Sequence, residues 1–172
     1  LQNVTTLNSS TVNLENANAI TSLAVTNMTG STLYLQGSSI TTLPLSVMQG
    51  STIYSWYTTN LTIPSLTTAS DSTFRADYGG TLTLPTLSNV TNGGFGANWD
   101  GFYWWNSGNQ NSVLNIPLLQ NTTGGTYYRA LDGGQINAPN LTNIDNDNIY
   151  IRGANSTISL QNVTTFNSSY VN

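Results

Sequence analysis

Aromatic side chains are the strongest candidates for binding chemistry, because they concentrate in one stretch of this 172-residue sequence. Residues 98–110 read NWDGFYWWNSGNQ, and further aromatic residues lie at equivalent places in two preceding repeats. Flat rings on a rigid surface suit the apolar faces of sugars, with amides and carboxylates nearby to bind hydroxyls. The candidate residues for binding a glycan or another partner are Trp56, Tyr57, Tyr78, Trp99, Phe102, Tyr103, Trp104 and Trp105. Aromatic residues are equally at home in protein interfaces, so sealing a corner or a subunit contact is the alternative.

An oxygen-rich run in the seventh repeat offers ligands for a metal ion. Asp145 and Asp147 alternate with two asparagines there, and Ca²⁺ prefers carboxylate and amide oxygens. These two aspartates are therefore the candidate calcium ligands. A solvated turn is the alternative, because neither an EF-hand spacing nor a glycine-rich nonapeptide accompanies the run. No other cofactor is expected.

The residue types that most enzymes use as nucleophile or general base are missing. The sequence contains no His, no Cys and no Lys. The nearby carboxyl pairs, Asp71 with Asp77 and Asp145 with Asp147, fit turns as easily as the acid–base pair of a glycosidase. We therefore predict that the protein is not an enzyme.

Asparagine is also placed where a glycan could be attached. In a secreted protein, the motif Asn-X-Ser/Thr marks a surface acceptor for N-glycosylation. The motif occurs at Asn3, Asn8, Asn27, Asn60, Asn89, Asn121, Asn140, Asn155, Asn162 and Asn167. Because Asn, Ser and Thr are so abundant here, many of these motifs are expected by chance.

The charge balance argues against nucleic acid as a partner, and the lengths of the apolar runs argue against membrane insertion. Three arginines and seven acidic residues give a net charge of −4, with an isoelectric point near 4.1. A nucleic-acid-binding protein needs a basic face, so no nucleic acid is expected as a partner. No apolar run approaches the ~20 residues of a membrane-spanning helix, so membrane insertion is not expected either.

A repeat of 20–22 residues organises the whole chain and must position these side chains. Each copy reads aliphatic, polar, aliphatic, often Pro, then a third aliphatic, and copies begin near residues 20, 40, 61, 82, 114, 136 and 158. The interval of 32 residues after position 82 contains the aromatic insert near 98–110. The return segments are β-branched and aromatic, without the helical spacing that a leucine-rich repeat requires. We predict an all-β protein, a right-handed parallel β-helix (β-solenoid) of seven to eight coils forming a single domain over 1–172.

Four columns of aliphatic or aromatic residues are expected to face the core, since alternation has period two. The fourth column is predicted as Val12, Leu33, Ile53, Phe74, Phe95, Tyr127, Ile149 and Val171. The prolines share one column and should mark a corner, because proline cannot donate a hydrogen bond within a sheet. The third column is one residue early in coils 2 and 3, which predicts a bulge or a shifted turn there.

The two ends of the sequence carry nearly the same segment. Residues 1–13 read LQNVTTLNSSTVN and residues 160–172 read LQNVTTFNSSYVN. A solenoid without caps at these segments would expose sheet edges that can pair with further strands. Two interpretations follow: a segment of a longer array with a superrepeat of 159 residues, or a subunit that stacks head to tail on copies of itself.

The units LTLPTLSNVTNGG, LTIPSLTTASDSTFRADYGGT and LNIPLLQNTTGGTYYRALDGGQ resemble the β-strand repeats of very large bacterial surface and secreted proteins. Those proteins are adhesin-like or filament-like. The resemblance implies an extracellular or cell-surface module with a structural or adhesive role. From the matching segments the expected partner is the chain itself, and from the aromatic residues it is, in the alternative, a cell-surface glycan. It supplies no site residues, and the aromatic insert departs from the plain repeat.

Overall fold

The computed structural model describes residues 1–98 and 111–172, which form nineteen strands and no helix. In chain order the strands are β1 (Thr6–Asn8), β2 (Thr11–Glu15), β3 (Asn27–Thr29), β4 (Thr32–Gln36), β5 (Val47–Gln49), β6 (Thr52–Trp56), β7 (Asn60–Thr62), β8 (Thr68–Ser70), β9 (Thr73–Asp77), β10 (Thr81–Thr83), β11 (Asn89–Thr91), β12 (Gly94–Ala97), β13 (Val113–Asn115), β14 (Asn121–Thr123), β15 (Tyr127–Leu131), β16 (Gln135–Asn137), β17 (Asn148–Arg152), β18 (Thr157–Ile158) and β19 (Tyr170–Val171).

The strands build a parallel β-solenoid of about seven turns, which confirms the predicted fold class. Three sheets run along the rod. The six-stranded sheet has the order β1-β3-β5-β8-β11-β14, the five-stranded sheet β18-β16-β13-β10-β7, and the eight-stranded sheet β19-β17-β15-β12-β9-β6-β4-β2. Every strand pair is parallel, so backbone hydrogen bonds join each coil to the next along the axis.

Alternating side chains fill the interior with stacked columns of like residues. In the eight-stranded sheet, Ile53, Phe74 and Phe95 are fully buried one above the other. The rings of Phe74 and Phe95 lie 5.7 Å apart, and those of Phe95 and Tyr128 lie 5.3 Å apart. Packing of this kind supplies most of the stability of a solenoid, since each coil buries its apolar face only against its neighbours.

One position of this column was predicted wrongly. Phe95 is in register with Tyr128, which is buried, whereas Tyr127 points outward and is 52 % exposed. The cause is the corner before β15, where Gly124 and Gly125 both adopt positive φ and add one residue to the turn. That extra residue shifts the inward and outward positions of β15 by one.

The proline corner is a four-residue turn at the end of the five-stranded sheet. Leu87 donates its N–H to the carbonyl of Leu84, and Leu119 donates to Ile116, with proline second in each turn. Around Pro44 the corner is one residue shorter, as the shifted column predicted. Above this shortened corner, β5 and β8 pair only through Gln49 and Ser70.

The other two corners depend on residues whose backbone adopts the left-handed conformation, with positive φ. The residue that follows a six-stranded-sheet strand has positive φ at Ser9, Gly30, Gly50, Asp71, Asn92 and Gly124. The residue that follows an eight-stranded-sheet strand has positive φ at Asn16, Gly37, Tyr57, Tyr78, Asn98, Asp132 and Gly153. Glycine and asparagine tolerate this conformation best, which explains most of these identities.

A column of hydroxyl side chains, with one carboxylate among them, lines the corner between the six- and eight-stranded sheets. Ser51 accepts the backbone N–H of Ser31 at 3.1 Å and donates to the carbonyl of Gln49 at 2.8 Å. Ser31 and Ser72 repeat both contacts in their own coils. We call this column, with members Ser10, Ser31, Ser51, Ser72, Thr126, Asp147 and Ser169, the corner ladder.

Candidate functional site

The outer face of the eight-stranded sheet collects five aromatic side chains over three consecutive coils. Register places Tyr34 beside Tyr54, and Gln36 beside Trp56 in the neighbouring outward column. Two further tyrosines follow the strands at the corner. We call the group Tyr34, Tyr54, Trp56, Tyr57 and Tyr78 the aromatic strip.

The rings of the aromatic strip contact one another in sequence. Tyr34 and Tyr54 stack with centroids 4.4 Å apart and planes 13° apart, and Tyr57 stacks on Tyr78 at 5.0 Å and 8°. Trp56 lies edge-on between the two stacks, 5.2 Å from Tyr54 and 5.9 Å from Tyr78. Offset stacking and edge contacts of this kind fix ring orientation, so the strip is a preformed surface.

The corner tyrosines hold a backbone conformation that is unfavourable for their residue type. Tyr57 has φ 47° and Tyr78 has φ 53°, where the same corner in other coils uses Asn, Asp or Gly. A left-handed conformation costs a residue with a Cβ roughly 1–2 kcal/mol. Strained positions of this kind cluster at binding sites, because the surrounding structure must maintain them. Tyr57 remains 44 % exposed, so its ring is available to a partner.

A buried ion pair supports the aromatic strip from the next coil. Arg75 and Asp77 are only 6 % and 1 % exposed although their columns face outward, and their charged groups lie 2.8 Å apart. Asp77 also accepts the indole N–H of Trp56 at 2.9 Å, and Arg75 lies 4.7 Å from the ring centroid of Tyr54. Burial raises the pKa of Tyr54, and the nearby guanidinium partly offsets that effect.

The structure brings together three of the sequence-predicted aromatic residues, Trp56, Tyr57 and Tyr78. The other five, Trp99, Phe102, Tyr103, Trp104 and Trp105, lie outside the described residues. Tyr34 and Tyr54 were not predicted as part of the strip. The strand register would have revealed them, since both fall two residues before the outward column that contains Trp56.

The predicted calcium ligands each have a role in joining coils. Asp147 is fully buried in the corner ladder and accepts the N–H of Thr126 at 2.8 Å and the hydroxyl of Thr122. Asp145 accepts the backbone N–H of Asn167 at 2.6 Å. Among the described residues, no group of three or more His, Cys, Asp or Glu side chains is placed to hold a metal. Calcium binding at Asp145 and Asp147 stays a prediction.

The ten asparagines of the glycosylation motifs lie on the surface, with nine exposed and Asn27 half-buried. Four of them, Asn89, Asn140, Asn162 and Asn167, already donate from the nitrogen to which a glycan would be attached. Asn140 donates from Nδ2 to the carbonyl of Pro117 at 2.7 Å, and Asn162 donates to Pro139 at 2.6 Å. These two side chains therefore join adjacent proline corners, and glycosylation of all ten sites stays a prediction.

Comparisons with protein-family models, with curated proteins and with solved structures found no match to this chain. The part of the chain that the structure describes also contains no helix long and apolar enough to cross a bilayer. Functional inference therefore depends on the geometry of the rod and of its outward-facing side chains.

Proposed function

We propose that this β-solenoid is a structural and adhesive rod module, extracellular or at a cell surface, that is lengthened by adding coils end to end. The observation that carries the proposal is the shared conformation of residues 1–13 and 160–172. These near-identical segments, 159 residues apart in the sequence, occupy the same position around the axis. A solenoid in which a coil sequence recurs at the same angular position has the geometry of a repeating unit.

Local hydrogen bonds support the equivalence of the two segments. Val4 donates its N–H to the carbonyl of Leu1 at 3.0 Å, and Val163 donates to Leu160 at 3.1 Å. Further along, the hydroxyl of Ser10 donates to Asn8 at 2.7 Å, as that of Ser169 does to Asn167 at 3.0 Å. The residues before these two serines, Ser9 and Ser168, both adopt positive φ.

Exposed apolar side chains also concentrate in these end coils. Four of the eight exposed large hydrophobic residues among those described lie there: Leu1, Phe166, Tyr170 and Val171. If a further coil with the sequence of residues 1–13 packed on residues 160–172, Val12 would extend the inward column above Val171. The edges of β2 and β19 would then gain the parallel partners that interior strands have.

The experiment is electron microscopy of the 172-residue protein over a range of concentrations. We expect uniform fibres with an axial repeat of one solenoid, roughly 35 Å for seven coils ~4.8 Å apart. Val171→Lys should abolish fibres, because it places a charge in the inward column at the contact between end coils. Leu118→Lys is the matched control, since Leu118 is exposed at a proline corner away from both ends.

The β-sheet circular dichroism of both variants must match that of the unmodified protein for the comparison to count. Short single particles at every concentration would contradict the proposal, and so would fibres of Val171→Lys equal to those of the control.

A second candidate function is glycan binding by the aromatic strip, and the strained stack of Tyr57 on Tyr78 specifically favours it. The test is retention of the protein on insoluble polysaccharides after changing Tyr57→Asn and Tyr78→Asn together. Asparagine is the natural residue of this corner at Asn16 and Asn98, so the fold should persist. We expect unchanged thermal stability within about 1 kcal/mol, because relieved strain offsets the lost stacking. Retention equal to that of the unmodified protein would exclude the strip as the binding surface.

A further inference from the structure

A second surface on the same sheet, separated from the aromatic strip by the coil of β12, forms a groove of about 390 Å³. Its side chains come from the outward columns of β15, β17 and β19. Register places Tyr127 beside Asn148 and Asn148 beside Tyr170, while Arg129 lies beside Tyr150 in the next column. We call this surface the tyrosine–arginine groove.

Two of its tyrosines are open to solvent with their spacing set by the sheet. Tyr127 is 52 % exposed and Tyr170 is 58 % exposed, which makes them the two most exposed rings in the groove. They stand two strand spacings apart, roughly 9.6 Å, with the half-buried amide of Asn148 between them. Two ring platforms separated by an amide match alternate sugar units of a linear chain, whose apolar faces stack while hydroxyls of the unit between them bond the amide.

Arg129 gives the groove its charge. Its guanidinium carbon lies over the ring of Tyr150, 5.4 Å from the centroid, in a cation–π contact. A guanidinium has five N–H donors in a fixed fork, so it can bind a ligand carboxylate in bidentate fashion while keeping other contacts.

From these contacts, we propose that the tyrosine–arginine groove binds a linear acidic polysaccharide built from uronic-acid units. Tyr127 and Tyr170 stack on two sugar rings, Asn148 bonds a hydroxyl between them, and Arg129 binds a carboxylate. The charge complementarity of Arg129 selects an acidic chain over a neutral one. The proposal goes beyond the rod function and does not depend on it, because the groove lies on the side of the solenoid.

The experiment is titration calorimetry with oligogalacturonate and with the same oligosaccharide fully methyl-esterified, which removes the charge but keeps the sugar framework. We expect the acid form to bind at least tenfold more tightly than the ester at low ionic strength, and the difference to shrink with added salt. Arg129→Gln should lower affinity for the acid form about tenfold and leave the ester unchanged, with Arg129→Lys intermediate.

The stacking residues are tested by Tyr127→Thr and Tyr170→Thr. Threonine is the residue at this position of the column in four other coils, including Thr11 and Thr52, so the strand should be retained. Each change should weaken binding of both oligosaccharides. Val47→Thr, exposed on the six-stranded sheet and away from both candidate surfaces, is the control that should change neither.

Three outcomes would overturn the proposal: equal affinity for acid and ester, no loss of acid binding in Arg129→Gln, or no binding of either oligosaccharide. Self-association that disappears in Tyr127→Thr, without saccharide binding, would assign the groove to a second copy of the chain instead. Fibre formation is scored separately on the same samples, so failure of the groove proposal and failure of the rod proposal are distinguishable.

Discussion

Asp147 is a carboxylate at a position where most members of the corner ladder have a hydroxyl. It is fully buried, and its two oxygens accept from Thr126 and Thr122, the latter in turn accepting the hydroxyl of Tyr128 at 3.1 Å. Burial raises the pKa of Asp147, and the negative charge of Asp145 adds to the effect, while the two accepted hydrogen bonds reduce it.

The stability that Asp147 contributes should therefore increase as the pH falls. Its folded-state pKa lies above the unfolded value, so the folded chain binds the proton more tightly than the unfolded chain does. Ionisation of Asp147 therefore lowers the free energy of unfolding. We expect urea denaturation from about pH 7 to about pH 4 to favour the unmodified protein progressively over Asp147→Ser, which restores the common ladder residue. A difference that stays constant, or that shrinks on acidification, would contradict this assignment.

Gly80 is required by space rather than by backbone conformation. A Cβ on Gly80 would lie 2.0 Å from the carbonyl oxygen of Ser55, so the coil beneath would have to move. We expect Gly80→Ala to lower the free energy of unfolding by about 3 kcal/mol or more. Gly50→Ala is the control, because its Cβ would meet nothing nearer than 3.7 Å and costs only the left-handed conformation, about 1–2 kcal/mol. Equal losses in the two variants would show that the Ser55 contact is unimportant.

Site residues could be predicted from the sequence where their spacing within the repeat fixed their position on the solenoid. Trp56, Tyr57 and Tyr78 were identified because each lies a similar number of residues beyond a reference aliphatic. The tyrosine–arginine groove was missed for a specific reason. Tyr127 was placed in the core, and with that residue inside no pair of exposed rings was visible in the sequence.

At the scale of the element, the corner ladder replaces backbone pairing where the chain turns. A buried backbone N–H without a partner costs roughly 1–3 kcal/mol, so the hydroxyl acceptors of this column stabilise the corner between two sheets. The same arrangement recurs at the next corner, where Ser112 accepts the N–H of Gly79 at 2.8 Å.

Removing one member of the corner ladder should be costly although the side chain is small. Ser51→Ala removes the acceptor of the Ser31 N–H, and we expect a loss of about 1–3 kcal/mol in the free energy of unfolding. Ser46→Ala is the control, since its exposed hydroxyl bonds the carbonyl of Thr26 at 3.3 Å and should contribute at most about 0.5 kcal/mol. Both values come from urea denaturation, and indistinguishable losses would contradict the role of the ladder.

Strands and proline corners were predictable because hydrophobic alternation and proline chemistry act locally. The left-handed corners were only partly predictable. Glycine pairs indicated some of them, but Ser9, Asp71 and Tyr57 adopt the same conformation without a sequence signal. Stacking on neighbouring coils imposes the left-handed conformation on these three residues, so their own conformational propensities do not predict it.

At the scale of the whole molecule, stability should be graded along the rod. Each coil contacts only its neighbours, so interior coils are held from both sides and end coils from one. We expect amide hydrogen exchange to be slowest near Ile53 and Phe74 and fastest near Val12 and Val171. In fibres, the amides of the end coils should become as slow as interior ones. Uniform exchange along the single rod would indicate all-or-none unfolding instead.

The coil count followed from the repeat interval, because a solenoid repeats one unit. The packing of one coil on the next could not be predicted from the repeat interval. A single extra residue at Gly124–Gly125, or a missing one near Pro44, changes the local register. These are properties of pairs of coils and appear only when the coils are stacked.

The placement of the three arginines has a consequence for proteolysis. With no lysine in the sequence, a trypsin-type protease has only Arg75, Arg129 and Arg152 as targets. Arg75 is buried within β9 and Arg129 lies within β15, whereas Arg152 ends β17 with half its side chain exposed, next to the corner at Gly153. Digestion should therefore begin between Arg152 and Gly153 and trim the rod from that end, leaving residues 1–152 as one intact fragment.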